Sequence, residues 1–257
     1  MPTIDFGRTA DDYARHRAGF PDAFFDRLAA WSVGAPGQRV VDVGTGTGTV
    51  ARGFARRGCR VVGIDPSGPM LREAQRLDVE AGVRVAHRSG RAEALPLPEA
   101  SVDVVTAGQC WHWFDRPRAA AEARRALVAG GRLVIAYFDW LPLPDSMVAA
   151  TEALILAHNP AWRPMSGLTG IHPWYLPDLP GAGFDDIETA SFDVDVPYSH
   201  AAWRGRIRAS AGVAASLPPD QVARFDVELA ALLAERFPTD PLAVPHRVWW
   251  VVARAAG

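Results

Sequence analysis

The stretch DVGTGTG (42–48) has the residue types of a turn that presses its backbone against a ligand. Glycines occupy every second position, at Gly44, Gly46 and Gly48, and they follow the apolar run RVV. Glycine tolerates positive φ and has no Cβ, so such a turn can approach a ligand closely. Asp65 comes 19 residues after Gly46, where a carboxylate can accept hydrogen bonds from both hydroxyls of a ribose. The two features together predict a site for a nucleoside.

A parallel sheet is predicted to hold these residues at one edge. Apolar runs predict strands at 39–43, 59–64, 83–88, 101–108 and 131–138, separated by segments with helical spacing. Strands that alternate with helices indicate βαβ units, and ligands of such sheets bind beyond the carboxyl ends of the strands. Further helices are expected at 11–17, 21–32, 146–157, 200–214 and 218–236, and outer strands at 184–196 and 246–254.

The length of 257 residues and the hydrophobic content of 49% favour one elaborated domain over two independent ones. Helices within 1–35 are expected to close over the ligand. Two insertions, at 139–180 and 199–240, are expected to form a partly helical lid over the carboxyl edge of the sheet.

Composition excludes several classes of function. The net charge of −2 gives no reason to expect binding to nucleic acid or to an anionic membrane. All 27 basic residues are arginine, so neither a pyridoxal-phosphate enzyme nor a P-loop nucleotidase can be built. Cys59 and Cys110 are predicted to be reduced thiols of a cytoplasmic protein. No apolar stretch is long enough to span a bilayer, and the seven histidines have no metal-ligand spacing.

The turn differs from a dinucleotide-binding turn in its glycine spacing and in its charge, and these differences indicate which nucleoside it binds. A dinucleotide fingerprint, GxGxxG, would place a glycine where this chain has Thr49. Asp42 puts a negative charge beside the turn, which suits an ammonium group and repels a phosphate. A nucleoside with a cationic tail therefore fits better than a dinucleotide, and S-adenosylmethionine is such a molecule.

Three segments carry a resemblance to a known family. DVGTGTGTVARGFARRGCRVVGIDPSGPMLREAQ, GRAEALPLPEASVDVVTAGQCWHWFD and ALVAGGRLVIAYF resemble the ordered motifs of class I S-adenosylmethionine-dependent methyltransferases. The small-molecule branch, which includes quinone-biosynthesis methyltransferases, is the most similar. The resemblance implies a Rossmann-like α/β fold with a seven-stranded, mostly parallel sheet, an antiparallel last strand, and helices on both faces.

The resemblance also implies roles for individual residues. Asp42, Gly44, Thr45 and Gly46 would line the methionine portion of the cofactor, with Gly48 packing the turn. Asp65 would hold the ribose. The remaining cofactor residues would be Pro66 and Met70 beside the adenine, Ala92 and Glu93 at its edge, Gln109 near the sulfonium, and Tyr13 and Arg17 over the methionine end.

The acceptor side is expected around QCWHWFD (109–115). His112 is the predicted catalytic base, because its ordinary pKa suits proton transfer at neutral pH. The same stretch resembles that of small-acid carboxyl methyltransferases, in which the histidine would orient the acceptor instead. The predicted acceptor-binding residues are Trp111, His172, Trp174 and Tyr175. Arg204 and Arg208 are one helical turn apart and could neutralise an acidic acceptor, although a solvated helix face is the more usual role.

The sequence thus predicts methyl transfer to a small organic molecule, and it favours an oxygen of a hydroxyl, phenol or carboxylate as the acceptor atom. Transfer to carbon or sulfur stays open. So does a member of the fold that binds the cofactor without methylating, as a cyclase or regulatory binder, and a nicotinamide-dependent oxidoreductase is a remote alternative. The expected partner is a small-molecule acceptor, with no nucleic acid and no membrane, in a monomer or homodimer.

Overall fold

The computed structural model describes residues 18–163 and 169–257. Its helices are α1 (Asp22–Leu28), α2 (Thr49–Arg56), α3 (Gly68–Glu80), α4 (Arg116–Ala126), α5 (Met147–His158), α6 (His200–Arg208) and α7 (Pro219–Arg236). Its strands are β1 (Arg39–Val43), β2 (Arg60–Asp65), β3 (Val85–Ser89), β4 (Val102–Gly108), β5 (Leu127–Trp140), β6 (Phe184–Tyr198) and β7 (Leu242–Ala255). Short 3-10 turns lie at Ala29–Trp31, Trp111–Trp113, Pro173–Asp178 and Pro180–Ala182.

The strands form one seven-stranded sheet in the order β3-β2-β1-β4-β5-β7-β6. The pairs β1–β2, β2–β3, β1–β4 and β4–β5 are parallel, and β7 is antiparallel. The sequence-based prediction of a Rossmann-like sheet with a reversed last strand is confirmed. Strand order reverses between β1 and β4, which are neighbours in the sheet, and ligands of doubly wound sheets bind at that point.

Short polar side chains set the beginnings of several helices. Ser67 caps α3, Asp115 caps α4, Ser146 caps α5 and Ser199 caps α6, each by accepting a hydrogen bond from a backbone N–H in the first turn. Such caps satisfy donors that the helix itself leaves unpaired and stabilise it by about 1 kcal/mol each. They fix the start of α3 after β2 and of α4 after the QCWHWF stretch, and both of these loops contain predicted site residues.

The chain divides into two compact units. The sheet unit comprises Gly19–Phe138, His172–Phe192 and Val248–Gly257. The helical unit comprises Asp139–Ile171 and Asp193–Arg247, together with Ala18. The helical unit has its own buried cluster, which includes Ile155, Trp203, Phe225, Leu229 and Leu233.

Several element boundaries differ from the sequence-based prediction. Helix α1 ends at Leu28 and not at residue 32, because the chain continues as a 3-10 turn, and β7 begins at Leu242 and not at residue 246. The helix expected at 200–214 ends at Arg208, because Ala214 and Val213 donate backbone hydrogen bonds to Arg208 and Ser210 in a turn. Strand β5 begins at Leu127 and not at residue 131, since Leu127 pairs with Val102 before an irregularity in the ladder. Among the described residues, no helix is long and apolar enough to cross a membrane.

Candidate active site

The glycine turn after β1 has the conformation that its sequence predicts. Gly44, Gly46 and Gly48 have φ values of 63°, 55° and 80°, a region that disfavours other residues. A Cβ on Gly44 would lie 2.8 Å from the Cys110 sulfur, so that glycine is required for packing. A Cβ on Gly46 would have nothing within 4 Å, so the turn faces open space at this position. The backbone of Gly46 is therefore accessible to a ligand.

Asp42 is buried, and its side chain is hydrogen-bonded to the turn and to the neighbouring strand β4. Its carboxylate accepts hydrogen bonds from the Thr45 hydroxyl at 2.6 Å and from the Thr106 hydroxyl at 2.8 Å. Burial raises the pKa of Asp42 to about 6, although the hydrogen bonds from Thr45, Thr106 and the Ala51 backbone oppose the shift. The Asp42 carboxylate thus fixes Thr45 in the turn and places a negative charge behind it.

Asp65 joins the turn to the beginning of α3. One carboxylate oxygen accepts the Gly46 N–H at 2.9 Å, and the other accepts the Ser67 N–H at 2.8 Å. Both oxygens keep a further lone pair, because a carboxylate oxygen can accept two hydrogen bonds. Asp65 therefore stands beside the accessible Gly46 with acceptors aligned by backbone donors, as the ribose role requires.

The predicted adenine residues occupy the loops after β2 and β3. Pro66 is exposed and Met70 half-buried, and the Met70 N–H donates to the Ser67 cap at 3.5 Å. Ala92 is buried, whereas Glu93 is half-buried and accepts the Asp115 N–H at 3.0 Å. Since β2 and β3 are parallel neighbours, these loops follow the same edge of the sheet.

Gln109 marks the end of β4 with a left-handed backbone, at φ 61°. Its N–H donates to the Ala136 carbonyl at 2.8 Å, and its side-chain amide donates to the Phe138 carbonyl. Cys110 follows, and its thiol donates to the Val43 carbonyl at 3.1 Å. These contacts tie the QCWHWF stretch to β1 and β5 and turn it away from the strand direction.

His112 is held by a tyrosine that sequence reasoning did not single out. The Tyr137 hydroxyl lies 2.9 Å from His112 Nδ1 and accepts the His112 backbone N–H at 3.2 Å. The same hydroxyl is hydrogen-bonded to the Tyr175 hydroxyl, with the two oxygens 3.1 Å apart. Tyr137 belongs to the apolar run LVIAYF, so its only sequence signal is a hydroxyl near the carboxyl end of a strand.

The predicted acceptor residues fall into a buried set and an exposed one. Trp111 is fully buried, and its indole N–H donates to Asp178 at 3.0 Å. His172 and Tyr175 are buried and stack with Tyr137, at ring-centroid distances of 4.0 and 5.4 Å. Trp174 is 45% exposed, and its ring lies edge-on to His172. Of the four, Trp174 is the one with a substantial surface for an acceptor.

Other predicted residues lie elsewhere. Tyr13 and Arg17 are outside the described residues. Arg204 and Arg208, on α6 in the helical unit, both bind Asp226, with Arg208 at 2.8 Å. Between residues 18 and 257, leaving aside 164–168, no group of three or more His, Cys, Asp and Glu is arranged to hold a metal ion.

The turn and its acids match the requirements of a nucleoside with a cationic tail. Open space at Gly46, the aligned Asp65 carboxylate and the buried negative charge of Asp42 supply contacts for a ribose and an ammonium. The fold thus defines a Rossmann-like protein, and the turn with its two acids is a candidate nucleoside site at the switch point of the sheet.

Comparison with known proteins agrees with this assignment. A family model described as a methyltransferase domain matches residues 41–135. The demethylmenaquinone methyltransferase of Renibacterium salmoninarum is 34% identical over 180 residues, which cover 69% of this chain and 74% of that protein. An uncharacterized methyltransferase of Mycobacterium tuberculosis is 37% identical over 131 residues, 51% of either chain. The YcgJ protein of Bacillus subtilis has a similar fold, with a TM-score of 0.58, 19% identity, and coverage of 92% of this chain and 100% of that one.

The chain belongs to the class I S-adenosylmethionine-dependent methyltransferases. The family and the cofactor predicted from the sequence are therefore confirmed. The chain spans about half the length of the first curated relatives that it matches, 51% in each case.

Proposed function

We propose that this protein transfers the methyl group of S-adenosylmethionine to an oxygen of a small organic molecule. The observation that carries the proposal is the placement of His112. It follows β4, whose neighbour β1 ends in the glycine turn, and its ring is fixed by Tyr137 at 2.9 Å. An imidazole beside the cofactor turn can accept the proton that a hydroxyl must lose during methylation.

The cofactor side of the site uses the turn and its acids. Asp65 would bind the ribose hydroxyls, and the backbone around Gly44, Thr45 and Gly46 would contact the methionine portion. Asp42 would attract the ammonium group through its buried charge. When bound, the cofactor supplies a methyl group activated by a positively charged sulfur. Alignment of the acceptor with that methyl in a water-poor site would provide much of the rate.

The acceptor side of the site is proposed to combine His112 with exposed aromatic rings. Trp174 and Trp113, at 45% and 50% exposure, would cover a flat or apolar acceptor. Trp111, His172 and Tyr175 would support them from the interior. We further propose that Tyr13 and Arg17 close the methionine end, and that the insertions at 139–180 and 199–240 act as the lid.

The name of the Renibacterium relative points to a second class of acceptor. That protein is a demethylmenaquinone methyltransferase, so a quinone-like ring is included among the acceptors to be screened. A cytoplasmic location and a monomeric or homodimeric state stay predictions.

The first test is calorimetric titration with S-adenosylhomocysteine, the demethylated product of the cofactor. We expect micromolar affinity, weakened at least tenfold by Asp65→Ala, which corresponds to about 1.4 kcal/mol. Asp220→Ala is the matched control, because Asp220 is an exposed carboxylate whose side chain is 74% accessible. Absence of binding, or equal affinities in the wild type and Asp65→Ala, would contradict the proposed cofactor site.

The second test is a screen of hydroxyl, phenol, carboxylic acid and quinone acceptors for release of S-adenosylhomocysteine. His112→Ala is expected to lower turnover at least a hundredfold while cofactor affinity is unchanged, since general bases contribute about 10²–10⁴-fold. Tight cofactor binding with no product from any acceptor would instead favour a non-methylating member of the fold.

A further inference from the structure

The Tyr137 hydroxyl is the centre of a buried hydrogen-bonded cluster. Three partners meet it: the His112 N–H at 3.2 Å, His112 Nδ1 at 2.9 Å and the Tyr175 hydroxyl at 3.1 Å. A phenol has one proton to donate and two lone pairs that accept. These three contacts therefore use the full hydrogen-bonding capacity of the hydroxyl.

Packing holds the cluster rigid. Tyr137 is 2% exposed, and its ring stacks with His172 at an interplanar angle of 27° and with Tyr175 at 16°. Burial, followed by the proximity of Tyr175, raises the pKa of Tyr137 far above its ordinary value. The hydroxyl therefore stays protonated at neutral pH.

Two proton arrangements satisfy these contacts when His112 is neutral. In the first, Tyr137 donates to Tyr175 and accepts from an Nδ1–H of His112. In the second, Tyr137 donates to Nδ1 and accepts from Tyr175. Only the first arrangement remains valid when His112 is doubly protonated, because Nδ1 then carries a proton and cannot accept. A histidine that takes up a proton during turnover therefore requires the first arrangement.

We propose that Tyr137 is a positioning residue that fixes the proton of His112 on Nδ1, and that the acceptor is consequently a proton-bearing oxygen, an alcohol, enol or phenol, and not a carboxylate. The inference rests on the proposed function. With Nδ1 protonated, the lone pair of the imidazole lies on Nε2. A carboxylate acceptor is already deprotonated at neutral pH and would gain nothing from a base held in this way.

The step balances with the residues in place. The acceptor O–H bond breaks, its proton passes to Nε2, and its electron pair stays on oxygen. That oxygen forms the bond to the methyl carbon as the carbon–sulfur bond breaks, which leaves a neutral thioether and an imidazolium. Nε2 is shielded from water in the structure. The Trp113 ring lies beside the imidazole, with ring centroids 4.6 Å apart.

The test that does not depend on turnover is nitrogen-15 NMR of the histidine rings. The His112 signals are assigned by their loss in His112→Gln. In the wild type we expect the Nδ1–H form to predominate, and in Tyr137→Phe we expect the Nε2–H form to replace it, because Nδ1–H loses its acceptor. Tyr198→Phe is the matched control: it removes another buried tyrosine hydroxyl, one that accepts the Ala18 N–H at 3.2 Å, and should leave the His112 signals unchanged.

Turnover supplies the second measurement. With the acceptor found by screening, Tyr137→Phe should lower kcat about tenfold or more with little change in KM or in affinity for S-adenosylhomocysteine. Tyr175→Phe, which leaves the contact between Tyr137 and His112, should have a smaller effect. An unchanged His112 tautomer in Tyr137→Phe would overturn the positioning role. A carboxylate as the best acceptor would overturn the assigned class. A lack of any methylation would instead refute the proposed function, with the NMR result still valid.

Discussion

Single residues at the glycine turn have a cost in folding stability that their proposed binding roles would explain. Asp42 is the clearest case, because burial raises its pKa to about 6. Its negative charge is nevertheless the group that we propose attracts the ammonium of the cofactor. A carboxylate whose folded-state pKa lies above the unfolded value binds its proton more tightly when folded. The folded state therefore loses stability as pH rises from about 4 to 6, and above pH 6 the full cost is present.

The substitution Asp42→Asn should remove this loss of folding stability and weaken the binding of S-adenosylhomocysteine. The amide does not titrate, so at pH 7.5 the variant should be more stable than the wild type by up to about 3 kcal/mol, and at pH 4 by almost nothing. Its affinity for S-adenosylhomocysteine should fall, because the negative charge is lost. Urea unfolding at the two pH values measures the first effect and calorimetry the second. Asp220→Asn, at an exposed site, should show neither.

Gly46 provides a prediction that separates the stability cost of backbone strain from the loss of space for a ligand. Gly46 and Gly82 have φ values of 55° and 65°, and a Cβ at either would have nothing within 4 Å. Alanine at each position should therefore cost a similar amount of unfolding free energy, about 1–2 kcal/mol. Only Gly46→Ala should weaken S-adenosylhomocysteine binding, at least tenfold. Equal affinities in the two variants would show that Gly46 does not contact the cofactor.

At the scale of elements, the sequence predicts what depends on local pattern. The five parallel strands follow from apolar runs such as RVVDV, and the start of α3 follows from the cap at Ser67. The turn conformation follows from Gly44, Gly46 and Gly48, because few other residues adopt its dihedrals.

Contacts between elements could not be predicted in the same way. Tyr137 meets His112 only because β4 and β5 pair in register, with Gly108 opposite Ala136, and the chain then turns at Gln109. The sequence places Tyr137 in an apolar strand and says nothing of its neighbour. The end of α6 at Arg208 likewise depends on a turn at Ser210 that apolar periodicity does not reveal.

A buried ion pair joins α2, α3 and β3 behind the glycine turn. Arg52 binds Asp78 at 2.6 Å and the Thr47 carbonyl at 2.8 Å, and Asp78 also binds His87 at 2.7 Å. Asp78→Ala should cost about 3–5 kcal/mol of unfolding free energy, since it leaves the Arg52 charge buried without its carboxylate. Asp78→Asn should cost less, because the amide oxygen still accepts.

The matched control for Asp78 lies on the same helix. Glu80 pairs with Arg76 on the exposed face of α3, and Glu80→Ala should cost under about 1 kcal/mol. Chemical denaturation of the three variants measures the difference. If Asp78→Ala is no more harmful than Glu80→Ala, the buried pair does not hold the elements together.

At the scale of the whole molecule, two buried titratable groups change the folding stability in opposite directions as the pH falls. His246, in the helical unit, is 3% exposed and has Nδ1 2.9 Å from the Val244 carbonyl. Burial lowers its pKa to about 4; Arg206 lowers it further, and the Val244 carbonyl and Asp139 oppose the shift. Its unfolded form takes up a proton near pH 6.5, so folding loses stability as pH falls from about 6.5 to 4. Asp42 gains stability over nearly the same range.

These opposite slopes predict how acid affects the wild type and its variants. Each group contributes about 3 kcal/mol over its range, so the two contributions nearly cancel in the wild type. Asp42→Asn should lose stability on acidification, and His246→Asn should gain it. The double variant should regain the pH dependence of the wild type, because Asp42 and His246 belong to different compact units and their effects are expected to add. Urea unfolding of the four proteins between pH 4 and 7 measures these slopes. Single variants with parallel slopes would show that at least one group does not titrate as its burial predicts.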